Sequence, residues 1–356
     1  MRAKRVLQLI GASALTLTAS AAMAGIGGHN VVLIHGFQPD NLLSGQASVS
    51  EIDANSDEYW AEFWSGRADA QIGWDSTERI EGGIAQDVFR QIKDIARSEI
   101  CDNACIYVTH STGDLVARYA LENQDRWLTA AGLQPFDVIA TVDLAGAGGG
   151  TNLANLGIST SESDSFLLSP VNKAVEAFVG FNADDPDNLG VVNDLQTSIA
   201  RNTAISPNDV PRLRIAGGGS DFFGLTGPFV KGNDDGVVSM ASSCGSVSVS
   251  GVDSCISQRA ADGEVKNTNA PDGLYHNHLP FLMSDKAGHL NMLGSGDNQT
   301  ATTGNGFEGV SLVDVETNRI TEGGSWWNPW DNGTDFVRVP GSSDTHLSQT
   351  TYEALR

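Results

Sequence analysis

Positive charge is scarce in this sequence. Its 356 residues hold 21 Lys and Arg against 44 Asp and Glu, a net charge of −23. Such a surface repels phosphate backbones, which excludes general nucleic-acid binding, and it opposes docking on anionic lipid headgroups through a basic patch. Long apolar runs are lacking too. Past the first two dozen residues, no stretch approaches the roughly eighteen apolar residues of a membrane-spanning helix. No internal repeat is visible, which excludes solenoid and propeller arrays. Cysteine is limited to four residues with no C-x-x-C pair, so no metal site is expected. What remains is 40 % hydrophobic, enough for a core of domain size.

The amino terminus has the pattern of a targeting segment. Arg2, Lys4 and Arg5 precede the short apolar run Val6 to Thr18, and Ala22-Met23-Ala24 forms an A-x-A cleavage site. Residues 1–24 therefore read as a signal peptide, with a secreted or periplasmic protein starting at Gly25. Export permits disulfides, and the four cysteines fall in two close pairs. Local bridges Cys101–Cys105 and Cys244–Cys255 are expected.

Along the mature chain, Val31-Val32-Leu33-Ile34 is apolar at every position, the mark of a strand buried on both faces. Cys105 to Thr109, Phe136 to Leu144 and Arg212 to Ala216 read as further strands. Ile84 to Ser98 and the stretch from Gly113 carry apolar groups at helical spacing. Strands alternating with helices predict a mostly parallel α/β sheet. Residues 151–205 break the alternation. Val171 to Phe181 and Val191 to Ile199 look like two amphipathic helices, so this segment reads as a cap or lid insertion. Composition shifts again near 297, where Gly, Asn and Thr dominate and Trp326, Trp327 and Trp330 cluster. The expected organisation is a catalytic domain over 25–296 and a C-terminal extension over 297–356.

The residues that carry chemistry lie at strand ends. Thr109-His110-Ser111-Thr112-Gly113 joins a buried strand to a helix, the setting of a nucleophile elbow that lifts a serine hydroxyl above the sheet. Thr109 stands where the usual G-x-S-x-G pattern has its first glycine. His35-Gly36-Phe37 ends the first strand, where a backbone N–H can face a developing oxyanion. The expected donors are the N–H groups of Phe37 and Thr112. His35 and His110 are read as buried histidines that hold these loops.

Together with Gly232-Asn233-Asp234-Asp235-Gly236-Val237-Val238, these motifs resemble the exported bacterial triacylglycerol lipases and esterases of the α/β-hydrolase superfamily. The resemblance covers about half the mature chain. It implies an α/β-hydrolase fold and a Ser-His-Asp triad with Ser111 as nucleophile and Asp235 as acid. Asp234 is the alternative acid one residue away, and Asp143 is a rival at a strand end. For the base, His289 matches the family's longer pattern H-[LV]-[DEN]-x-x-G, His278 matches only its N-H-L start, and His346 has a strand-loop-helix setting. His276 is read as a surface residue. Asn291 occupies a place where the family often has a calcium-binding Asp, so a structural calcium is implied but without that charge; no other cofactor is expected. The family also implies a lipase-specific foldase as partner. A lipid or other ester is the expected substrate. A polyester depolymerase, a phospholipase or an acyltransferase would use the same triad, and a non-catalytic binding protein on this scaffold is the contrasting reading.

Overall fold

The computed structural model describes residues 25–161, 170–179, 189–221, 224–294, 299–304, 307, 310–324 and 332–355. The signal-like segment and the Trp326, Trp327 and Trp330 cluster lie outside these residues.

β1 (Asn30–Ile34) is followed by the helices α1 (Pro39–Ser44) and α2 (Val49–Tyr59). α2 starts where the Ser48 hydroxyl accepts from the Glu51 N–H and the Glu51 carboxylate accepts from the Ser48 N–H, a reciprocal cap of two otherwise orphan donors. β2 (Ala70–Ile72), α3 (Ala85–Ser98), β3 (Cys105–His110) and α4 (Gly113–Ala130) come next. β4 (Val138–Leu144) leads into α5 (Asn152–Ser161), α6 (Pro170–Val179) and the short α7 (Thr197–Ala200). β5 (Arg212–Gly217), α8 (Met240–Ser243) and β6 (His278–Ser284) complete the parallel part.

The main sheet runs β2-β1-β3-β4-β5-β6, all parallel, closed by the antiparallel edge strand β7 (Thr302–Thr303). Side chains alternate between two buried faces. Val32, Ile34 and Tyr107 join one apolar cluster, and Val31, Leu33, Ile106 and Val108 join the other. A sheet covered on both sides explains why these strands are apolar at every position. Beyond 296, a largely irregular chain adds β7, an exposed hairpin of β8 (Asn318–Glu322) and β9 (Thr334–Arg338), and α9 (Leu347–Glu353). The extension is anchored: Trp64 donates its indole N–H to the Ser348 hydroxyl at 2.9 Å, and Leu347 lies in the core.

Both expected disulfides are formed, Cys101–Cys105 and Cys244–Cys255. One helix expectation fails. Val191 to Ile199 is not a helix but a 3-10 turn at Gly190–Asn193, an extended Gln196 and then α7. The break falls at Gln196, with ψ of 135°, two residues after Asp194, whose backbone is still helical and whose carboxylate accepts from the Arg79 Nε at 2.9 Å and from the Ile80 N–H at 2.8 Å. β6 went unpredicted because Pro280 interrupts it; the ladder to β5 shifts register beside that proline.

Beneath the carboxyl end of the sheet lies a buried ionic cluster. Asp114, in the first turn of α4, accepts from Arg212 at 2.6 Å and from Arg214 at 2.7 Å. Asp143 on β4 accepts from Arg214 at 3.1 Å and from the hydroxyls of Thr109 and Thr141, both at 2.7 Å. The two guanidiniums hold the Asp114 carboxyl well below the usual carboxylate range despite the opposing effect of burial. Deleting one partner of such a pair strands the others in a low-dielectric core. Arg214→Met is therefore expected to lower folding stability by about 3–5 kcal/mol, measured by urea denaturation. A variant within 1 kcal/mol of wild type, on the order of an exposed pair, would contradict the buried network.

Candidate active site

Ser111 sits between β3 and α4 with φ of 54°, a left-handed conformation that a serine adopts only under local constraint. Its N–H donates to the Leu144 carbonyl at 3.0 Å, and its own carbonyl accepts from Ala147 at 2.8 Å. Gly113 must lack a side chain, because a Cβ there would run into the Ile34 and His35 carbonyls of β1. The helix thus packs directly on the strand that ends in His35-Gly36-Phe37. Gly36 meets the same limit against the Ser111 Cβ. Thr109 replaces the first glycine of the elbow pattern because its hydroxyl is used: it donates to Asp143.

The chain brings Ser111, His289 and Asp235 together across 178 residues of sequence. His289 Nε2 lies 2.8 Å from the Ser111 hydroxyl, and His289 Nδ1 lies 2.9 Å from Asp235 Oδ2. The other Asp235 oxygen accepts from the Val237 and Val238 N–H groups at 3.0 and 2.7 Å. The Asp235 carbonyl accepts from the His289 N–H at 2.8 Å. Asp235 and His289 are therefore locked to each other by main chain and side chain. All three side chains are buried.

The other candidates are placed elsewhere. Asp234 turns away and caps the Gly236 N–H at 2.8 Å. Burial of its carboxyl raises it to about 6. Asp143 belongs to the arginine cluster. His278 opens β6 on the far side of that cluster, where burial and Arg214 and Arg212 keep it neutral. His346 is the N-cap of α9 and accepts from the Gln349 N–H at 3.1 Å. His276 is an exposed residue bonded to the Asn208 carbonyl.

The two flanking histidines have defined tasks. His35 accepts the Trp74 N–H at Nε2, 3.0 Å, so its Nδ1–H donates to the Gly36 carbonyl at 2.7 Å. That fixes the Gly36–Phe37 peptide, and the Phe37 N–H of the same planar unit points the opposite way. Among the described residues, neither the Phe37 nor the Thr112 N–H donates to a protein acceptor. His110 accepts the Tyr59 hydroxyl at Nδ1, 2.5 Å, and donates from Nε2 to the His289 carbonyl at 2.9 Å. Tyr59 was not singled out in the sequence; nothing in its local pattern marks it. Asp221 was missed as well. It accepts the Leu290 N–H at 2.6 Å and so steadies the histidine loop.

Asn291 Oδ1 accepts from the Gln299 amide at 3.2 Å, and Asp221 Oδ2 accepts from the Leu290 N–H at 2.6 Å. The Phe37 ring meets Phe178 of α6 at 5.6 Å, so α6 reaches the loop that follows β1.

No family model matches the chain, and no curated protein does. Among solved structures, it is similar to the Bacillus licheniformis lipase BlEst2 in mature form at 18 % identity and a TM-score of 0.40, over 60 % of this chain and 78 % of that one. The metagenomic carboxyl esterase MGS0156 matches at 15 % and 0.35, over 60 % of each chain. Phospholipase PlaB from Legionella pneumophila matches at 17 % and 0.33 over 60 % of this chain, which spans 45 % of that protein. The strand order, the parallel crossovers and the left-handed Ser111 turn after β3 define the fold class on their own: this is an α/β-hydrolase fold.

Burial drives His35 down to about 4 from its ordinary 6.5. The unfolded chain takes up a proton below pH 6.5 that the folded one refuses. Stability is therefore complete above pH 6.5 and falls as pH drops towards 4, by about 2 kcal/mol at pH 5 from this residue alone. Urea midpoints at pH 7 and pH 5 measure it. His35→Phe, which keeps the stacking on Trp74, is expected to flatten that dependence.

Proposed function

We propose that this protein is a serine hydrolase of carboxylic esters, a lipase or esterase. The observation that carries the reading is the Ser111–His289–Asp235 chain of hydrogen bonds at 2.8 and 2.9 Å beside two uncommitted backbone N–H groups. The Ser111 hydroxyl attacks the ester carbonyl while His289 Nε2 takes its proton. Asp235 keeps the imidazole proton on Nδ1 and stabilises the imidazolium that forms. Its second oxygen is held by Val237 and Val238, so the carboxylate cannot rotate away. The Phe37 and Thr112 N–H groups receive the oxyanion, and both are in place before the reaction starts. His289 then protonates the leaving alcohol, and a water uses the same base to release the acid.

Phe37 and Phe178 pack on one apolar cluster, and Gly36 before Phe37 lies against the Ser111 Cβ, so an apolar surface adjoins the oxyanion loop and suits an acyl chain. Export through the residue 1–24 signal belongs to the same reading, supported by two disulfides and by the lack, among the described residues, of any helix long and apolar enough to cross a membrane. So does a dedicated foldase, which rests on the resemblance alone.

The test is hydrolysis of p-nitrophenyl esters together with labelling by a fluorophosphonate. Ser111→Ala is expected to lose labelling and all but a trace of turnover. Asp235→Asn is expected to lower kcat by about 10⁴-fold, since it permits the wrong imidazole tautomer. His289→Ala should match Ser111→Ala, whereas Asp234→Asn and His346→Ala should stay within a few-fold of wild type. Ester hydrolysis by Ser111→Ala at the wild-type rate would refute the proposal.

A further inference from the structure

Four arginines are buried around the start of β5, and among the described residues Asp114 and Asp143 are the carboxylates that pair with them. Arg118, Arg201, Arg212 and Arg214 are all at least nine-tenths buried. Asp114 and Asp143 are both engaged by Arg212 and Arg214. Arg118 and Arg201 form no ion pair among the described residues; they donate to the carbonyls of Ala200 and Gly149. The cluster therefore carries surplus positive charge inside a strongly acidic protein. It also has donors to spare. Nε and Nη1 of Arg118 and Nη1 of Arg212 are buried with no acceptor.

Arg118 and Arg212 line one cavity, of about 30 Å³, between α4, the 204–208 loop and the start of β6. It lies at the amino-terminal end of β5 and β6, the end of the sheet opposite Ser111. Among its other polar walls, Ser206 gives its N–H to the Glu122 carboxylate at 3.1 Å, and the Asn208 carbonyl accepts from His276 and Asn277. The Tyr275 hydroxyl donates to the Arg201 carbonyl at 2.7 Å, so Tyr275 turns its ring towards Arg118, 5.4 Å from the guanidinium carbon. His278 spends its Nδ1–H on the His276 carbonyl at 3.0 Å.

We propose that this cavity is a chloride site held by Arg118 and Arg212. A buried guanidinium without a counter-charge is costly, and unmade hydrogen bonds add to the cost. Water answers the hydrogen bonds but not the charge; a small anion answers both. The enclosed volume admits only a small occupant, and this favours a monatomic anion over phosphate, sulfate or an organic carboxylate. Burial already pulls the Arg118 guanidinium down to about 10, which an anion at this place would reverse. The bound ion would complete the charge balance under α4, the helix that starts two residues after Ser111. The site is independent of the hydrolase reading, because it shares no residue with Ser111, His289 or Asp235.

The test compares thermal unfolding of the full chain in sodium chloride and in sodium gluconate at matched concentrations. Chloride is expected to raise the melting temperature saturably by several degrees over gluconate, because a ligand bound only by the folded state stabilises it. Arg118→Met should abolish that difference. Crystals soaked in bromide should show an anomalous peak beside Arg118 Nε and Arg212 Nη1, and this decides the matter if Arg118→Met does not fold. Identical melting in the two salts, an undiminished chloride effect in Arg118→Met, or bromide absent from the cavity overturns the proposal.

Discussion

The Asp114 carboxylate, held between two guanidiniums under the first turn of α4, is the contact on which the rest of the candidate site depends. A parallel sheet presents its functional loops at the carboxyl ends of its strands, and each such loop must be tied down separately. Asp114 accepts Arg212 and Arg214 from β5, two strands away from β3, and also accepts the Gly148 N–H from the loop after β4 at 2.8 Å. One side chain thus binds the helix after the elbow, the neighbouring loop and the strand beyond. Ser111 can hold a left-handed backbone because its surroundings leave no alternative. The strain is local and the restraint is distributed.

A second layer of order comes from neutral histidines. His35 and His110 are buried beside the reacting groups, and each uses one ring nitrogen as donor and the other as acceptor. A neutral imidazole suits such a place, because it bridges two backbone segments without bringing a charge into the core. His35 sets the peptide whose N–H faces the site. His110 and Tyr59 set the carbonyl of His289, so the base is held from behind as well as by Asp235. Protonating His35 would put its Nε2–H against the Trp74 N–H, and burial opposes a charge on either ring.

The segment over 191–199 has apolar spacing suited to a helix, yet its backbone turns extended at Gln196. Asp194 ties it to Arg79 and Ile80, while α6 touches Phe37.

Much of this was legible in the sequence. Apolar strands between amphipathic helices implied a parallel sheet, since only burial on both faces makes every strand position apolar. The elbow and the His35-Gly36-Phe37 loop were legible because their chemistry lies in adjacent residues. The cysteine pairs were legible because they are close in sequence. Which histidine lies beside Ser111 was not. His278, His289 and His346 each stand in an eligible local pattern, and only the tertiary structure brings His289 to Ser111, while Arg212 and Arg214 lie near His278 and α9 takes His346 as its cap. The same holds for Asp234 and Asp235, one residue apart but facing opposite ways. Tyr59 and the arginine cluster left no mark in the sequence for the same reason: they act through partners some fifty to a hundred residues distant. Local pattern determined which elements form. The packing of β5, β6 and α4 determined which of the eligible side chains share a site.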